Sequence, residues 1–407
     1  MKVLIADKFE KVGIDGLKEL GCTVVSQPDL TADALPDALR REDPAILIVR
    51  STKVSKTALE AGPSLGLVIR AGAGIDTIDV AAASARGVFV SNCPGKNSLA
   101  VAELVMGLLL SCDRRIPDQV ADLRAGTWAK GEYSKARGLY GRTLGIVGLG
   151  QIGREIARRA QGFGMRVAAW SRNFNLEEAQ RLGIEYCETP IEVARLSDAV
   201  SINVAATAET KHLVNAEFLA AMRPGSYLIN TSRGSVVDEA ALAAAIREKG
   251  IRAGLDVFQD EPAGSAGTFG AAIASEPGVY GTHHVGASTE QAQVAIAHEV
   301  LRIVGEFSQT GGVPNCVNRL AKSAASHVLS IRHLNRPGVL AHVFSVLADH
   351  SINVEEVENI IYHGAQATLA RVHLDLAPDQ SALDAIRGGN PHIISVELTA
   401  LDGRKQA

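Results

Sequence analysis

The chain has 407 residues, 46% apolar and 21% charged, with a formal net charge of −4. These values predict a soluble globular protein of two or three domains, each able to bury a core, and they exclude electrostatic attraction to nucleic acid or an anionic membrane. Five dispersed cysteines (Cys22, Cys93, Cys112, Cys187, Cys316) lack C-x-x-C or zinc spacing, so reduced thiols, no metal site and a cytoplasmic setting are expected.

The opening Met1-Lys-Val-Leu-Ile-Ala-Asp7 reads as a strand, not a signal peptide. Through residue 95, apolar runs at Val3–Ala6, Cys22–Val25, Ile46–Val49, Leu67–Ile69 and Val88–Val90 alternate with helical patterns such as Val12–Leu20 and Val80–Ala85. That alternation predicts a doubly wound α/β unit, whose ligands gather at the carboxyl ends of its strands. Two such ends stand out. Arg50 and Lys53 could grip an anion, and the Gly-rich turn after Arg70 could present backbone N–H groups; a solvated loop and a plain turn are the alternative. Asn97-Ser98 then precede an apolar helix, Leu99–Cys112, with Ser98 as its expected N-cap. The helix is too short to cross a bilayer and contains Glu103. Its apolar surface predicts burial between domains or subunits. Residues 126–141 read as a loop.

A second α/β unit opens with Thr143-Leu-Gly-Ile-Val-Gly-Leu-Gly-Gln-Ile-Gly153. A buried strand runs into a helix through Gly148, Gly150 and Gly153, the G-x-G-x-x-G spacing of a dinucleotide turn. Gly148 would permit the tight turn, Gly150 the approach of a pyrophosphate, and Gly153 close helix packing; the helix N-terminus would offer N–H groups to the phosphates. The next strand, Val167–Trp170, should end in an acid that holds a ribose 2′-OH. Here it ends in Ser171-Arg172. Arg172 could pair with a 2′-phosphate, favouring NADP over NAD, or stack on adenine. Strands at Ala199–Val204, Tyr227–Asn230, Ala253–Val257 and Val279–Thr282 follow, with helices Ala216–Met222 and Asp238–Lys249 and a returning helix beyond Ser288. Residues 315–326 read as a polar linker. From 327 onward the pattern is βαββαβ, a ferredoxin-like order with a regulatory or oligomeric role, in which Pro337 suits a first helical turn and Gly338 a close backbone approach. Glu10, Lys11, Arg40, Arg41, Arg404 and Lys405 read as solvated charge.

Three polar residues fall at strand ends on the dinucleotide side: Arg233, Glu261 and His284. Interconverting a 2-keto and a 2-hydroxy acid needs a cation for the carboxylate, an acid–base group for the oxygen, and a partner that tunes it. Arginine offers a bidentate fork, histidine titrates near neutrality at about 6.5, and a neighbouring carboxylate favours its protonated form. The bland alternatives are a strand-end cation, a turn acid before Pro262 and a core histidine.

In order and spacing, Gly148–Gly153, Asn230–Gly234, Leu255–Pro262 and Thr282–Thr289 resemble the D-isomer-specific 2-hydroxyacid dehydrogenases. Arg50–Val54, Arg70–Gly74, Asn92–Ser98 and Ala102–Leu104 are similar to members that oxidise D-3-phosphoglycerate, and His333–Leu340 resembles an ACT domain. The resemblance covers essentially the whole chain. It implies a discontinuous substrate-binding domain (1–95 and 286–317, flavodoxin-like), a Rossmann domain (96–285) and an ACT regulatory domain (326–407). It implies that Arg233 binds the substrate carboxylate, His284 is the general acid–base and Glu261 tunes it. Asp256 would hold the nicotinamide carboxamide, and Gln151, Ile152, Ala205, Thr231 and Ser232 would line the dinucleotide. Ala73 and Gly74 would donate backbone N–H groups to the substrate, and Arg50, Ser51 and Asn97 would meet its phosphate end. His333, Asn335 and Asn353 match positions that hold L-serine at a subunit interface.

The implied activity is oxidation of D-3-phosphoglycerate with NAD or NADP in serine synthesis, inhibited by serine, in a homodimer or homotetramer. The alternatives are a dehydrogenase or reductase for glycerate, hydroxypyruvate or glyoxylate, and a dinucleotide-sensing protein without turnover. Three positions depart from the family pattern: Ser171 stands for an Asp, Ala205 for a Pro, and His283 for the Pro before the catalytic histidine. The last leaves two adjacent histidines, of which spacing to Gly286–Thr289 favours His284.

Overall fold

A computed structural model describes residues 1–262, 267–320 and 323–401, and divides into two compact units, Met1–Asn318 and Arg319–Ala407. Arg404 and Lys405, with the rest of 402–407, lie outside the described residues.

The first unit carries two parallel sheets. β1 (Lys2–Ile5), β2 (Thr23–Ser26), β3 (Ile46–Val49), β4 (Leu67–Arg70) and β5 (Phe89–Asn92) form the first, in the order β2-β1-β3-β4-β5. Every residue of β3 is buried, as continuous apolar runs require when helices cover both faces. One face packs Leu4, Leu47 and Val68 with Leu35, Leu39 and Leu59; the other packs Val3, Ile5 and Ile48 with Ile296, Val300, Ile303 and Val304. The second set comes from the returning helix Glu290–Thr310, N-capped by Thr289. The chain stays on this sheet beyond the helix, because the Val317 N–H donates to the Val90 carbonyl and the Asn318 side chain bonds Val88 and Val90. Residues 315–317, read both as the start of a polar linker and as the end of this lobe, belong to the lobe, together with Asn318. Sequence reading also passed over helices Leu35–Glu42 and Lys56–Ala61, which are short and polar on one side.

The second sheet comprises β6 (Thr143–Val147), β7 (Arg166–Trp170), β8 (Glu185–Tyr186), β9 (Ala199–Ile202), β10 (Tyr227–Asn230), β11 (Arg252–Leu255) and β12 (Val279–Gly281), in the order β12-β11-β10-β9-β6-β7-β8. The order reverses at β6, the switch point where α/β sheets bind ligands. The long apolar helix is Ser98–Arg114, and its Val105, Leu108, Leu109 and Cys112 share a core with Ile146, Ile156 and Ile229. Ser98 is not its N-cap but its first residue: its hydroxyl is turned back to donate to the Gly95 carbonyl. The expected loop at 126–141 holds a single helical turn, Lys130–Tyr133. No helix among the described residues is long and apolar enough to cross a membrane, and no described cluster of His, Cys, Asp or Glu could hold a metal ion.

The second unit is an antiparallel sheet of β13 (His327–Leu334), β14 (Val354–Ile361), β15 (Ala367–Leu374) and β16 (Ile393–Ala400), ordered β14-β15-β13-β16, with helices Val339–Asp349 and Gln380–Gly389. This is the ferredoxin-like arrangement. Leu329, Ile331, Val343, Leu347, Val372 and Ile386 form its core. The helix begins after Pro337, not on it. Gly338 is its N-cap at φ +86°, with nothing within 4 Å of where a Cβ would sit; backbone conformation, not close approach, asks for glycine there.

Candidate active site

The dinucleotide turn is built as its glycines require. Gly148 has φ +98°, and a Cβ there would lie 2.6 Å from the Asn203 carbonyl oxygen; at Gly153 it would lie 2.4 Å from the Gly148 carbonyl. Gly150 is different: nothing lies within 4 Å of its Cβ position, leaving room for a ligand. Gly150 also caps helix Gln151–Gly162 without a side-chain hydrogen bond, so the first N–H groups of the helix have no side-chain cap. These features fit a pyrophosphate. The Thr231 hydroxyl, buried and without a partner, adds a polar atom for a ligand to satisfy.

Other expected cofactor residues are already engaged. The Ser232 hydroxyl donates to Asn230 Oδ1 at 2.7 Å. The Gln151 carboxamide lies over the crossover between lobes, where a Cβ on Gly95 would sit 1.6 Å from its Oε1. Ile152 packs on the core. The Ala205 carbonyl accepts the Thr210 hydroxyl at 2.7 Å, in a loop that also carries Glu209. Arg172 is exposed at the end of β7, and its charge helps hold the Glu209 carboxyl below its usual value, after hydrogen bonding by Thr207.

His284 and Glu261 meet. His284 Nδ1 lies 2.7 Å from Glu261 Oε2, and because a carboxylate only accepts, Nδ1 carries the proton and Nε2 is left free. The Phe258 N–H donates to the other Glu261 oxygen at 2.9 Å. Burial raises the Glu261 carboxyl's pKa, but the hydrogen bonds from His284 and Phe258, with the charges of His284 and Arg233, outweigh it and hold the carboxyl below its usual value. His284 itself sits at φ +53°, an uncommon backbone conformation for a residue with a Cβ.

Asp256 explains why that turn holds. It is 1% exposed, and its carboxylate accepts the Thr282 hydroxyl at 2.6 Å and the N–H groups of Val285 and Gly286 at 2.9 and 2.8 Å, while its carbonyl accepts the His284 N–H at 2.8 Å. The expected partner of the nicotinamide is thus an anchor for the histidine turn. His283 is exposed and hydrogen-bonds to none of the described residues.

Arg233 lies across the cleft from the first lobe. Asn230, 1% exposed, shapes its turn by accepting the Ser232 N–H and donating to the Arg233 carbonyl. The guanidinium donates to Ser232 O at 2.7 Å and, from Nη2 and Nε, to the two oxygens of Asp76 at 2.9 and 3.3 Å. Asp76 follows β4 and went unnoticed in the sequence. Burial raises its carboxyl's pKa, but the hydrogen bond and charge of Arg233 carry it below the usual value. Arg70 belongs to the same group: burial first, then repulsion from Arg233 and Arg50, lowers its pKa.

Gly74 is confined by this pair, since its Cβ would lie 2.2 Å from Arg233 Nη2. Among the described residues, the N–H groups of Ala73 and Gly74 donate to no protein acceptor; the Ala73 carbonyl accepts from Asn92. Arg50 reaches the Ser288 hydroxyl at 3.2 Å. Asp7 takes the N–H groups of Arg50, Ser51 and Thr52, so the Ser51 backbone is not available to an anion. Asn97 Oδ1 is buried without a partner.

In the second unit the three expected effector residues do not converge. His333 is 3% exposed; its Nδ1 donates to the Leu334 carbonyl and its Nε2 contacts the Thr368 hydroxyl at 3.0 Å, so both nitrogens are used internally. Asn335 pairs with Gln366 at one end of β15, and Asn353 with Asp375 at the other. Seven residue steps at ~3.3 Å separate those ends by about 23 Å. Any one ligand touching both asparagines needs a second copy of the module.

Comparison with known proteins gives the family of both units. Residues 106–286 match the family model "D-isomer specific 2-hydroxyacid dehydrogenase, NAD binding domain", and residues 327–358 match the ACT domain. The D-3-phosphoglycerate dehydrogenase of Methanocaldococcus jannaschii is 34% identical over 375 residues, covering 90% of this chain and 68% of that one. The hydroxypyruvate reductase of Thermotoga maritima is 36% identical over 312 residues, covering 76% and 98%. The crystal structure of an NADPH-dependent glyoxylate/hydroxypyruvate reductase from Sinorhizobium meliloti, in complex with NADP and malonate, superposes with a TM-score of 0.66 at 33% identity, covering 79% and 99%. The chain spans about two thirds of the length of the D-3-phosphoglycerate dehydrogenases it matches.

Proposed function

Because this chain belongs to the D-isomer specific 2-hydroxyacid dehydrogenases, whose NAD-binding domain it carries, we propose that it oxidises D-3-phosphoglycerate to 3-phosphohydroxypyruvate as a cytoplasmic enzyme of serine synthesis. A bound nicotinamide dinucleotide supplies the hydride acceptor. His284 takes the hydroxyl proton at Nε2 while its Nδ1–H stays on Glu261, whose negative charge stabilises the imidazolium that forms. Arg233 binds the carboxylate and polarises the C2 oxygen. The observation that carries the reading is the 2.7 Å contact between His284 and Glu261, with the charge of Arg233 felt at the same carboxylate. The grouping of Arg50 and Arg70 with Arg233 supports a substrate of more than one negative charge.

A second reading, reduction of hydroxypyruvate or glyoxylate with NADPH, is favoured by Ser171-Arg172 at the end of β7, where a serine and an arginine take the place of the acid that would repel a 2′-phosphate. Steady-state assays crossing NAD and NADP with D-3-phosphoglycerate, D-glycerate and 2-hydroxyglutarate separate the two. Under the first reading Arg50→Ala raises KM for the phosphorylated substrate and leaves that for D-glycerate little changed; equal effects on both remove it. Serine inhibition through the ACT module, in a dimer or tetramer, completes the proposal.

A further inference from the structure

We propose that Asp76 is the positioning residue for Arg233: a carboxylate from the first lobe that clamps one edge of the second lobe's guanidinium, so that the edge left open is the one presented to the substrate carboxylate. The inference rests on the reading of Arg233 as the substrate's cation.

A guanidinium has five N–H donors in a fixed plane. Nη2 and Nε use one each on Asp76, at 2.9 and 3.3 Å, and Nη1 uses one on the Ser232 carbonyl at 2.7 Å. Two donors remain, one on each terminal nitrogen, enough for one carboxylate. With only the Ser232 contact, the side chain could turn about its last torsions and offer any edge. The Asp76 clamp removes that freedom, and it does so from the opposite wall of the cleft, because Asp76 follows β4 and Arg233 follows β10.

Two further features favour the arrangement. Gly74 leaves the space that the pair occupies, since its Cβ would lie 2.2 Å from Arg233 Nη2 and 2.7 Å from Asp76 Oδ1. And Arg70, buried close by, feels the repulsion of Arg233 and Arg50, which the charge of Asp76 opposes.

The sign of a KM change tests the idea. With any 2-hydroxy acid the chain turns over, Asp76→Asn should raise KM for the acid ~10-fold or more, the scale of one charge-assisted hydrogen-bond pair. The dissociation constant of NADH or NADPH, read by fluorescence, should stay within about twofold, and Asp76→Glu should recover part of the loss. Gly74→Ala, which expels the pair sterically, should reproduce the KM effect. A lowered KM would mean that Asp76 competes with substrate, and an unchanged KM that it does nothing; either overturns the proposal, as does equal damage to cofactor binding. Arg233→Ala is assayed in parallel. If that variant keeps its activity, the assignment of Arg233 fails; if it is inactive while Asp76→Asn matches the parent protein, only the present inference fails.

Discussion

Glu299 accepts hydrogen bonds from Arg302 and Asn315 and an ion pair from Lys96 at 3.2 Å, joining the returning helix to the crossover that leads from the first lobe into the second. Hydrogen bonding by Arg302, then by Asn315 and Lys96, outweighs burial and holds the carboxyl down to about 2, against an ordinary value of 4.5. A carboxyl depressed in the folded state contributes stability above its unfolded pKa and loses it as pH falls through the folded one. The contribution, about 2 kcal/mol after discounting for the exposed Arg302, should therefore be complete at pH 7 and decline from about pH 4.5 toward pH 2. Urea unfolding of the parent and Glu299→Gln at pH 7 and pH 3 checks this: the gap between them should narrow in acid.

Replacing His284 by Asn removes the proton acceptor while keeping a polar side chain. Turnover should fall ~10²–10⁴-fold, with KM and cofactor affinity changed far less. His283→Asn, at the exposed neighbour, should keep nearly full turnover. Equal losses in the two variants would mean that the wrong histidine has been assigned.

Gly150 and Gly153 should respond differently to alanine. At Gly150 the added methyl meets open space, so Gly150→Ala should melt within a few degrees of the parent protein yet bind NADH far more weakly, because the methyl enters the pyrophosphate's approach. At Gly153 it meets the Gly148 carbonyl at 2.4 Å, so Gly153→Ala should lower the melting temperature as well. Paired melting curves and fluorescence titrations distinguish these outcomes.

Ser171→Asp restores an acid at the ribose end. The ratio of kcat/KM with NAD to that with NADP should rise ~10-fold or more, through hydrogen bonding to the 2′-OH and repulsion of a 2′-phosphate. A ratio that does not move would locate cofactor choice elsewhere.

Calorimetry with L-serine should give a heat in the low millimolar range that Asn335→Ala abolishes. Because Asn335 and Asn353 stand at opposite ends of β15, the heat should disappear on dilution to monomer.

How much was readable beforehand depended on distance along the chain. The Thr143–Gly162 stretch declares itself locally: an apolar run, three spaced glycines, then helical periodicity, all within one strand and one helix. Glu261 and His284 needed only the inference that strand ends of one sheet face one cleft. Asp76 was invisible because its partner is 157 residues away, and an aspartate in a Gly-rich turn suggests only a turn. Asp7 was missed for the same reason. Asp256 was assigned by resemblance to a ligand; that its oxygens also hold Thr282, Val285 and Gly286 follows from a fold back of the chain that no local pattern announces. Ser98 shows the opposite failure: a good capping residue that stands one position inside the helix, its hydroxyl donating back to the Gly95 carbonyl.

The histidine, its carboxylate partner and the Asp256 anchor all belong to the dinucleotide lobe, whereas the arginine's clamp is borrowed from the other. A widening of the cleft would thus part Asp76 from Arg233 and leave His284, Glu261 and Asp256 in contact, so the only one of these contacts that depends on how far the lobes stand apart is the one that fixes the guanidinium's orientation.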